Sequence, residues 1–209
     1  IGEWGQVRGM MNDDEFFFDL IIHPTIDAYV SAFVCDTAIL HLQNGIVVHP
    51  NRVHNQSQFH KDFAKDFCAT SPLSVNTFIV VDPFNKESGA TWVVPGTHRI
   101  VEMPSQDYLE SHSVQIEAEP GSVFIFDSQL WHCSGQNRSG RVRRAINQQF
   151  TKPFIKQQID YPFFLKDHKA IDLESRLAQR LGFWSLPPKS VRQFRVPDSS
   201  MRTYRAEQG

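Results

Sequence analysis

Pro120-Gly121-Ser122-Val123-Phe124-Ile125-Phe126-Asp127-Ser128-Gln129-Leu130-Trp131-His132-Cys133-Ser134 is the stretch on which the fold of this chain turns. A Pro-Gly turn opens it, a short run of β-branched and aromatic residues follows over 122–127, and a second run over 130–134 ends at Ser134-Gly135. Runs this short, rich in Val, Ile and Phe and bounded by turn residues, predict strands, since a globular helix needs about ten residues of 3.6 period. The same texture extends outward to 38–42, 46–49, 57–62, 74–82, 90–94 and 142–151, punctuated by Asn44-Gly45, Pro50-Asn51, Ser88-Gly89 and Pro95-Gly96. About eight short strands with no long helix between them predict a sandwich or barrel and not an alternating βα sheet.

Helical patterns are confined to the flanks. Asn12, Asp13, Asp14 and Glu15 bring a capping side chain and negative charge to the positive end of the apolar run 16–22. Pro24 ends that helix, and Thr25 is placed to cap a second one through Tyr29 and Phe33. Ile171, Ser175, Ala178 and Leu181 share one face before Gly182, which predicts a helix over 171–181. The expected organisation is one domain over 1–209, with a β core at about 37–151, a helical N-terminal flank at 12–34 and a C-terminal extension at 152–209.

With 21 basic and 23 acidic residues the formal charge is −2, so no overall field gathers nucleic acid or an anionic membrane. The early apolar run is broken by Asp19 and falls far short of the ~18 residues of a membrane span. The acidic residues before it lack the basic start of a signal peptide, although the opening on Ile1 instead of Met carries the expectation that some preceding sequence is missing. Cys35, Cys68 and Cys133 are odd in number and hold no Cys-x-x-Cys pair, which argues against a disulfide framework and predicts a reducing, cytoplasmic setting. A small-molecule partner is the expectation that survives.

Nine histidines stand out, four of them (His41, His49, His54 and His60) in one short stretch. His60-Lys61-Asp62 is the sole His-x-Asp of the chain, and on a strand residues two apart share a face, so an imidazole and a carboxylate converge. His132 lies on a later strand. Two imidazoles and one carboxylate on one side of a metal leave the opposite positions open, as a non-haem Fe(II) oxygenase requires. Spacing alone also fits hydrogen-bonded core histidines. Downstream, Arg138, Arg141, Arg143 and Arg144 precede or begin a strand, and alternation sends at most one of Arg143 and Arg144 inward. An inward guanidinium demands an anion, for which its fork suits a carboxylate, whereas an outward set is a solvated face.

These pieces resemble the phytanoyl-CoA dioxygenase family of Fe(II)- and 2-oxoglutarate-dependent oxygenases. The resemblance is carried by Phe59-His60-Lys61-Asp62, by the loop Glu87-Ser88-Gly89-Ala90-Thr91-Trp92-Val93-Val94-Pro95-Gly96-Thr97-His98-Arg99, by the strand 120–127, and by Leu130-Trp131-His132 running into Asn137-Arg138-Ser139 and Arg143-Arg144-Ala145. It spans about residues 20 to 150, and Val-Pro-Gly-Thr-His-Arg is its most specific segment. The resemblance implies a mainly β chain folded as a double-stranded β-helix (a cupin-like jelly roll) with flanking helices. It implies His60, Asp62 and His132 as iron ligands, and Arg143 as the partner of the far carboxylate of 2-oxoglutarate, with Ser134 as a hydroxyl donor to it. It sets Phe78 against the cosubstrate and offers Asn76, on the same strand face, as a further cosubstrate contact. The implied reaction uses Fe(II), 2-oxoglutarate and O2 to hydroxylate an unactivated C–H bond of a small organic molecule, releasing succinate and CO2. Asp62 bears on that outcome, because halogenases of the family carry a small residue there. Phe59, Lys61 and Ser57 stand where many members have Trp, Gln and Gln, departures that touch substrate class more than reaction class. Two competing readings are a cupin-like metal enzyme without 2-oxoglutarate, which has no need of Arg143, and a catalytically silent binding module, in which at least one of the four site residues is expected to be lost.

The remaining residues take plainer readings. His98 is expected to stabilise a turn, two or more of His41, His49 and His54 to lie in loops or at a rim with any other lining the approach to the iron, Trp92 and Trp131 to be core, and Cys133 to be a small buried hydrophobe. Lys61 alternates away from the ligands and is expected to be solvated. The tail from residue 183 is locally basic through Lys189, Arg192, Arg195, Arg202 and Arg205, and reads either as a lid for an anionic substrate or as a surface segment packing Phe194.

Overall fold

The computed structural model of the chain describes residues 4–63 and 66–195. Among these the strands are β1 (Gln6–Arg8), β2 (Ile39–Val48), β3 (Ser74–Val80), β4 (Thr91–Val93), β5 (Val114–Gln115), β6 (Val123–Asp127), β7 (His132–Ser134) and β8 (Arg143–Thr151). They form a larger sheet in the order β1-β2-β8-β3-β6 and a smaller one in the order β5-β4-β7. Pairing is antiparallel in β1/β2, β3/β6, β4/β5 and β4/β7. The chain is thus mainly antiparallel β with helices, and no helix among the described residues is long and apolar enough to cross a membrane.

The chain divides into two compact units. The first, Ile1–Met10 with Gln43–Gln149, carries most of the β structure and the helix α3 (Gln106–His112). Its apolar cluster joins Ile46, Val48, Phe78, Val80, Phe84, Ala90, Phe126 and Ala145, with Phe78 stacked on Phe124 at 5.0 Å between ring centroids. Cross-strand register places Phe78 opposite Phe124 and Asn76 opposite Phe126, so one face of β3 presents an aromatic and then an amide. The second unit, Met11–Leu42 with Phe150–Gly209, holds α1 (Phe16–Ile21), α2 (Pro24–Phe33), α4 (Tyr161–Phe164), α5 (Arg176–Arg180) and α6 (Val191–Arg195). Arg180, fully buried, binds it together by donating to Asp27 Oδ1 at 2.6 Å, Ala38 O at 2.7 Å and Ser31 Oγ at 2.7 Å.

Several boundaries differ from the sequence reading, each for a local reason. Asn44-Gly45 is no turn but the middle of β2, because β1 pairs across it and Arg8 Nη1 donates to Asn44 Oδ1 at 2.6 Å. Gly45 serves close approach: a Cβ there would lie 2.9 Å from Met10 Sδ. The segment 57–62 is a loop whose single β feature is a bridge at His60. At the N-terminal helices Asp14 Oδ1 accepts the Phe16 N–H at 2.9 Å as expected, but His23 and not Thr25 occupies the cap of α2, with Pro24 in its first turn. The helix foreseen over 171–181 is only α5, since Ser175 caps it by accepting the Ala178 N–H instead of lying in its interior, while Gly182 ends it at φ +91°. β1 and β5 are too short for periodicity to reveal. Of the basic tail residues, Lys189, Arg192 and Arg195 are exposed, whereas Arg202 and Arg205 lie outside the described residues.

Candidate metal centre

A single backbone bridge brings the three sequence-predicted ligands together. The N–H of His60 donates to His132 O at 2.9 Å and that of His132 to His60 O at 3.0 Å, which sets their rings 4.4 Å apart. Beyond His60 the backbone turns: the N–H groups of Asp62 and Phe63 both donate to Ser128 O, at 3.0 and 3.2 Å. The Asp62 carboxylate therefore returns to the imidazoles, with Oδ1 3.4 Å from His60 Nε2 and Oδ2 3.6 Å from His132 Nε2. One donor atom from each of His60, Asp62 and His132 lies within 4.8 Å of the others.

The surroundings prepare these groups to bind a cation. His60 Nδ1 donates to Gln58 O at 2.8 Å and His132 Nδ1 to Leu130 O at 2.9 Å. A carbonyl only accepts, so each neutral ring carries its proton on Nδ1 and leaves the Nε2 lone pair facing Asp62. Burial lowers the pKa of His132 and outweighs the upward pull of Asp62, which keeps the ring neutral. Burial pushes the Asp62 carboxyl upward, but the attraction of the neighbouring imidazoles in their protonated forms and the Asn76 N–H prevail and hold it below the usual carboxylate range. Neutral imidazoles beside an ionised carboxylate are the protonation states that metal binding needs.

The specific Val-Pro-Gly-Thr-His-Arg segment has a mechanical part in this. Thr97 Oγ1 donates to Val94 O at 2.6 Å and accepts the Trp131 N–H at 3.1 Å, while the Val94 N–H donates to Trp131 O at 2.9 Å. The turn, with Gly96 at φ +84°, straps down the residue before His132. His98 lies in the short helical turn Thr97–Arg99 that this creates.

Linked to the strand of His132 through Ser134 lies a buried cation with no ion pair among the described residues. Arg143 is 1% exposed, and its Nη2 donates to Gly89 O at 2.7 Å and to Ser134 Oγ at 3.1 Å. Its guanidinium sits 4.4 Å above the Phe84 ring, and its buried Nε has no hydrogen-bond partner. Burial presses its pKa down to about 10. Arg144 goes the other way, outward onto Asp82 with bonds of 2.8 and 2.9 Å, so alternation resolves with Arg143 on the inner face. Ser134 is half-buried, two residues beyond His132 on β7, so the arginine and the imidazoles are linked through one short strand. Phe78 packs between Phe84 beneath Arg143 and Phe126, whose ring meets His132 edge-on at 5.0 Å. Asn76 is fully buried and donates to Asp62 Oδ2 at 2.7 Å.

Other side chains depart from expectation. Lys61 is not solvated but 2% exposed, because the turn at Asp62 directs it to the opposite side, where Nζ donates to Ile100 O and lies 5.5 Å over the Trp131 ring. Trp131 and Trp92 are half-buried and not core: the first shields Lys61, and the second lines a cavity of about 390 Å³ with Phe59, Leu109 and Cys133. Cys133 is buried as expected, its thiol pushed up to about 11. The His49 ring packs against Trp4 at 4.8 Å between centroids, tilted by 37°, and His54 is buried with its pKa lowered by that burial. Sequence reasoning missed Ser74, Ser128, Asn147 and Gln149, buried polar residues clustered behind Asp62. The available signal was polarity on an inward face, since Asn147 and Gln149 alternate in step with Arg143.

Comparison with known proteins agrees with this geometry. The family model of phytanoyl-CoA dioxygenase matches residues 3–145. An uncharacterized protein of Mycobacterium tuberculosis is 39% identical over 213 residues, covering 100% of this chain and 77% of its own length. The dioxygenase andF of Emericella variicolor is 32% identical over 150 residues, covering 71% of this chain and 51% of its own. Among solved structures, EvdMO1 superposes with a TM-score of 0.54 at 26% identity over 65% of this chain, which corresponds to 32% of that protein.

Proposed function

The chain belongs to the phytanoyl-CoA dioxygenase family, and on that premise we propose that it is a non-haem Fe(II)- and 2-oxoglutarate-dependent dioxygenase with a jelly-roll core. It hydroxylates an unactivated C–H bond of a small organic substrate, with 2-oxoglutarate and O2 consumed and succinate and CO2 released. An oxygenase is the level the relatives establish. The observation that carries the finer reading is Arg143: a buried guanidinium with an unpartnered Nε and no ion pair among the described residues is costly and suits an anion. A metal enzyme without an anionic cosubstrate, or a silent binding module, leaves that cation unexplained.

His60, Asp62 and His132 would hold the iron, which when bound supplies the oxidative chemistry. The protein's own part is placement. Arg143 with the Ser134 hydroxyl engages the distal carboxylate of the cosubstrate, and the keto-acid end is thereby aimed at the ligand cluster along β7. Phe78, Phe84, Phe124 and Phe126 exclude water from one side, which strengthens the Arg143–carboxylate attraction. No side-chain general base is required. The three cysteines are free, in keeping with a cytoplasmic setting.

The test is anaerobic titration of the Fe(II)-loaded protein with 2-oxoglutarate, followed by succinate release in air with ascorbate. Binding and turnover support the reading. Absence of 2-oxoglutarate binding overturns it, and binding that survives Arg143→Ala unchanged overturns the assigned anchor.

A further inference from the structure

The polar residues behind Asp62 form a directed chain. Gln149 Nε2 donates to Ser74 Oγ at 3.0 Å, the hydroxyls of Ser74 and Ser128 share a hydrogen bond of 2.8 Å, and Ser128 Oγ donates to Asn76 Oδ1 at 2.5 Å. Asn76 Nδ2 then donates both to Asp62 Oδ2 at 2.7 Å and to Asn147 Oδ1 at 2.9 Å. Ser74, Asn76 and Ser128 are essentially inaccessible to solvent, and Gln149 and Asn147 are buried. Since the Ser128 proton is committed to Asn76 Oδ1, the hydrogen shared with Ser74 comes from Ser74, which in turn accepts from Gln149. Every donor therefore points along the chain toward Asp62, and each bond polarises the next.

This polarity fixes the Asn76 amide. Reversed, its oxygen would face a carboxylate oxygen and its NH2 would face the Ser128 hydroxyl, with two acceptors in contact at the Asp62 end. As it stands, one N–H goes to Asp62, the other to Asn147, and the oxygen is taken by Ser128. No N–H remains for a cosubstrate, which is the role the family resemblance offered this residue.

We propose that Asn76 is a positioning residue for the metal carboxylate: held by Ser128, Ser74 and Gln149, it occupies Asp62 Oδ2, so that Asp62 presents Oδ1 to the ion. The inference rests on the metal-centre reading above and extends it from the ligands to a residue that touches neither iron nor cosubstrate. Partners of this kind matter to metal sites, where their loss typically weakens metal binding about 10- to 100-fold.

The experiment is anaerobic titration of metal-free wild type, Asn76→Ala and His60→Ala with Fe(II) and with Co(II), combined with 2-oxoglutarate titration at saturating metal. For Asn76→Ala the expected result is metal binding about 10- to 100-fold weaker. The Co(II) visible bands should also be altered, because the freed Oδ2 can join the coordination, and 2-oxoglutarate affinity at saturating metal should be little changed. A purely structural role would lower the melting temperature and leave the bands as they are. Asn76→Ala with wild-type metal affinity overturns the proposal alone, as does a loss confined to 2-oxoglutarate. Wild type that takes up no Fe(II), or uptake indifferent to His60→Ala, overturns the metal centre and the proposal with it. If Asn76→Ala does not fold, Ser128→Ala replaces it; a severalfold loss of metal affinity supports the proposal and none overturns it.

Discussion

His60 and His132 exchange both of their backbone hydrogen bonds, at 2.9 and 3.0 Å, so the main chain holds the two imidazoles side by side. Acid should therefore act on the rings before it acts on the frame that carries them. The folded-state pKa of His132, and that of His54, are lowered by burial from the usual 6.5. As pH falls below 6.5 the unfolded chain binds protons that the folded chain refuses, so stability declines toward the folded values. Asp62 acts lower down, contributing stability above its unfolded value of 3.8 that is lost as pH falls through its depressed folded value. The melting temperature of metal-free protein should be level from about pH 6.5 to about 8 and fall below that range, with His132→Gln and His54→Gln each flattening the slope. A melting temperature constant from neutral to mildly acidic pH would contradict this.

Arg143 should cost stability while it waits for an anion. Replacing a buried ionic group by an apolar one of similar length is often neutral or stabilising by about 1–4 kcal/mol. Arg143 also donates to Gly89 and Ser134, so Arg143→Met should fall at the low end, about 1 kcal/mol more stable without ligand. The same variant should bind 2-oxoglutarate at least about 30-fold more weakly, the lower bound for losing one partner of a buried charge pair. Thermal melts with and without 2-oxoglutarate check both halves, and a variant less stable than wild type by several kcal/mol would refute the first.

Lys61 gives a contrast between the sequence pattern and the molecule. A solvated lysine replaced by alanine should change stability by no more than about 0.5 kcal/mol. The buried Lys61, bonded to Ile100 O and shielded by Trp131, should cost about 2 kcal/mol as Lys61→Ala, in line with a hydrogen bond to a charged donor. Urea denaturation distinguishes the two.

Gly89 receives Arg143 on its carbonyl at φ +71°, and a Cβ there would lie 2.6 Å from Gly135 O and 2.7 Å from Asn137 N. Both contacts are backbone and cannot yield cheaply. Gly89→Ala should destabilise by about 3 kcal/mol and, by shifting the arginine, weaken 2-oxoglutarate binding as well. Chemical denaturation and ligand titration of one preparation test the pair of effects.

Much of this was legible in the residues. The β character of 74–82, 122–127 and 142–151 follows from short branched and aromatic runs, whereas the grouping of His60, Asp62 and His132 follows from the family resemblance, since the spacing alone also fits core histidines. What escaped depends on partners far away in sequence. Asn44-Gly45 carries the letters of a turn, yet β1 pairs across it and the glycine yields space to Met10. Strand alternation sent Lys61 to solvent because it presumed a strand at 57–62, whereas one bridge and a turn onto Ser128 O direct it to a buried carbonyl. Alternation could narrow the arginines to Arg143 or Arg144 but could not choose; Asp82, which takes Arg144 outward, lies in another element.

The three residues of β7 have one more consequence. They carry His132 at one end and Ser134, the companion of Arg143, at the other, and an extended chain advances about 3.3 Å per residue. β4 pairs with all three, and on the opposite side His60 bonds His132 while the Ser134 N–H donates to Gln56 O at 2.8 Å. Held on both edges, the strand acts as a ruler. In the proposed reading it gauges the length of the diacid laid along it, so a homologue one methylene shorter than 2-oxoglutarate would not reach both the metal ligands and the arginine, and one a methylene longer would reach both only by buckling.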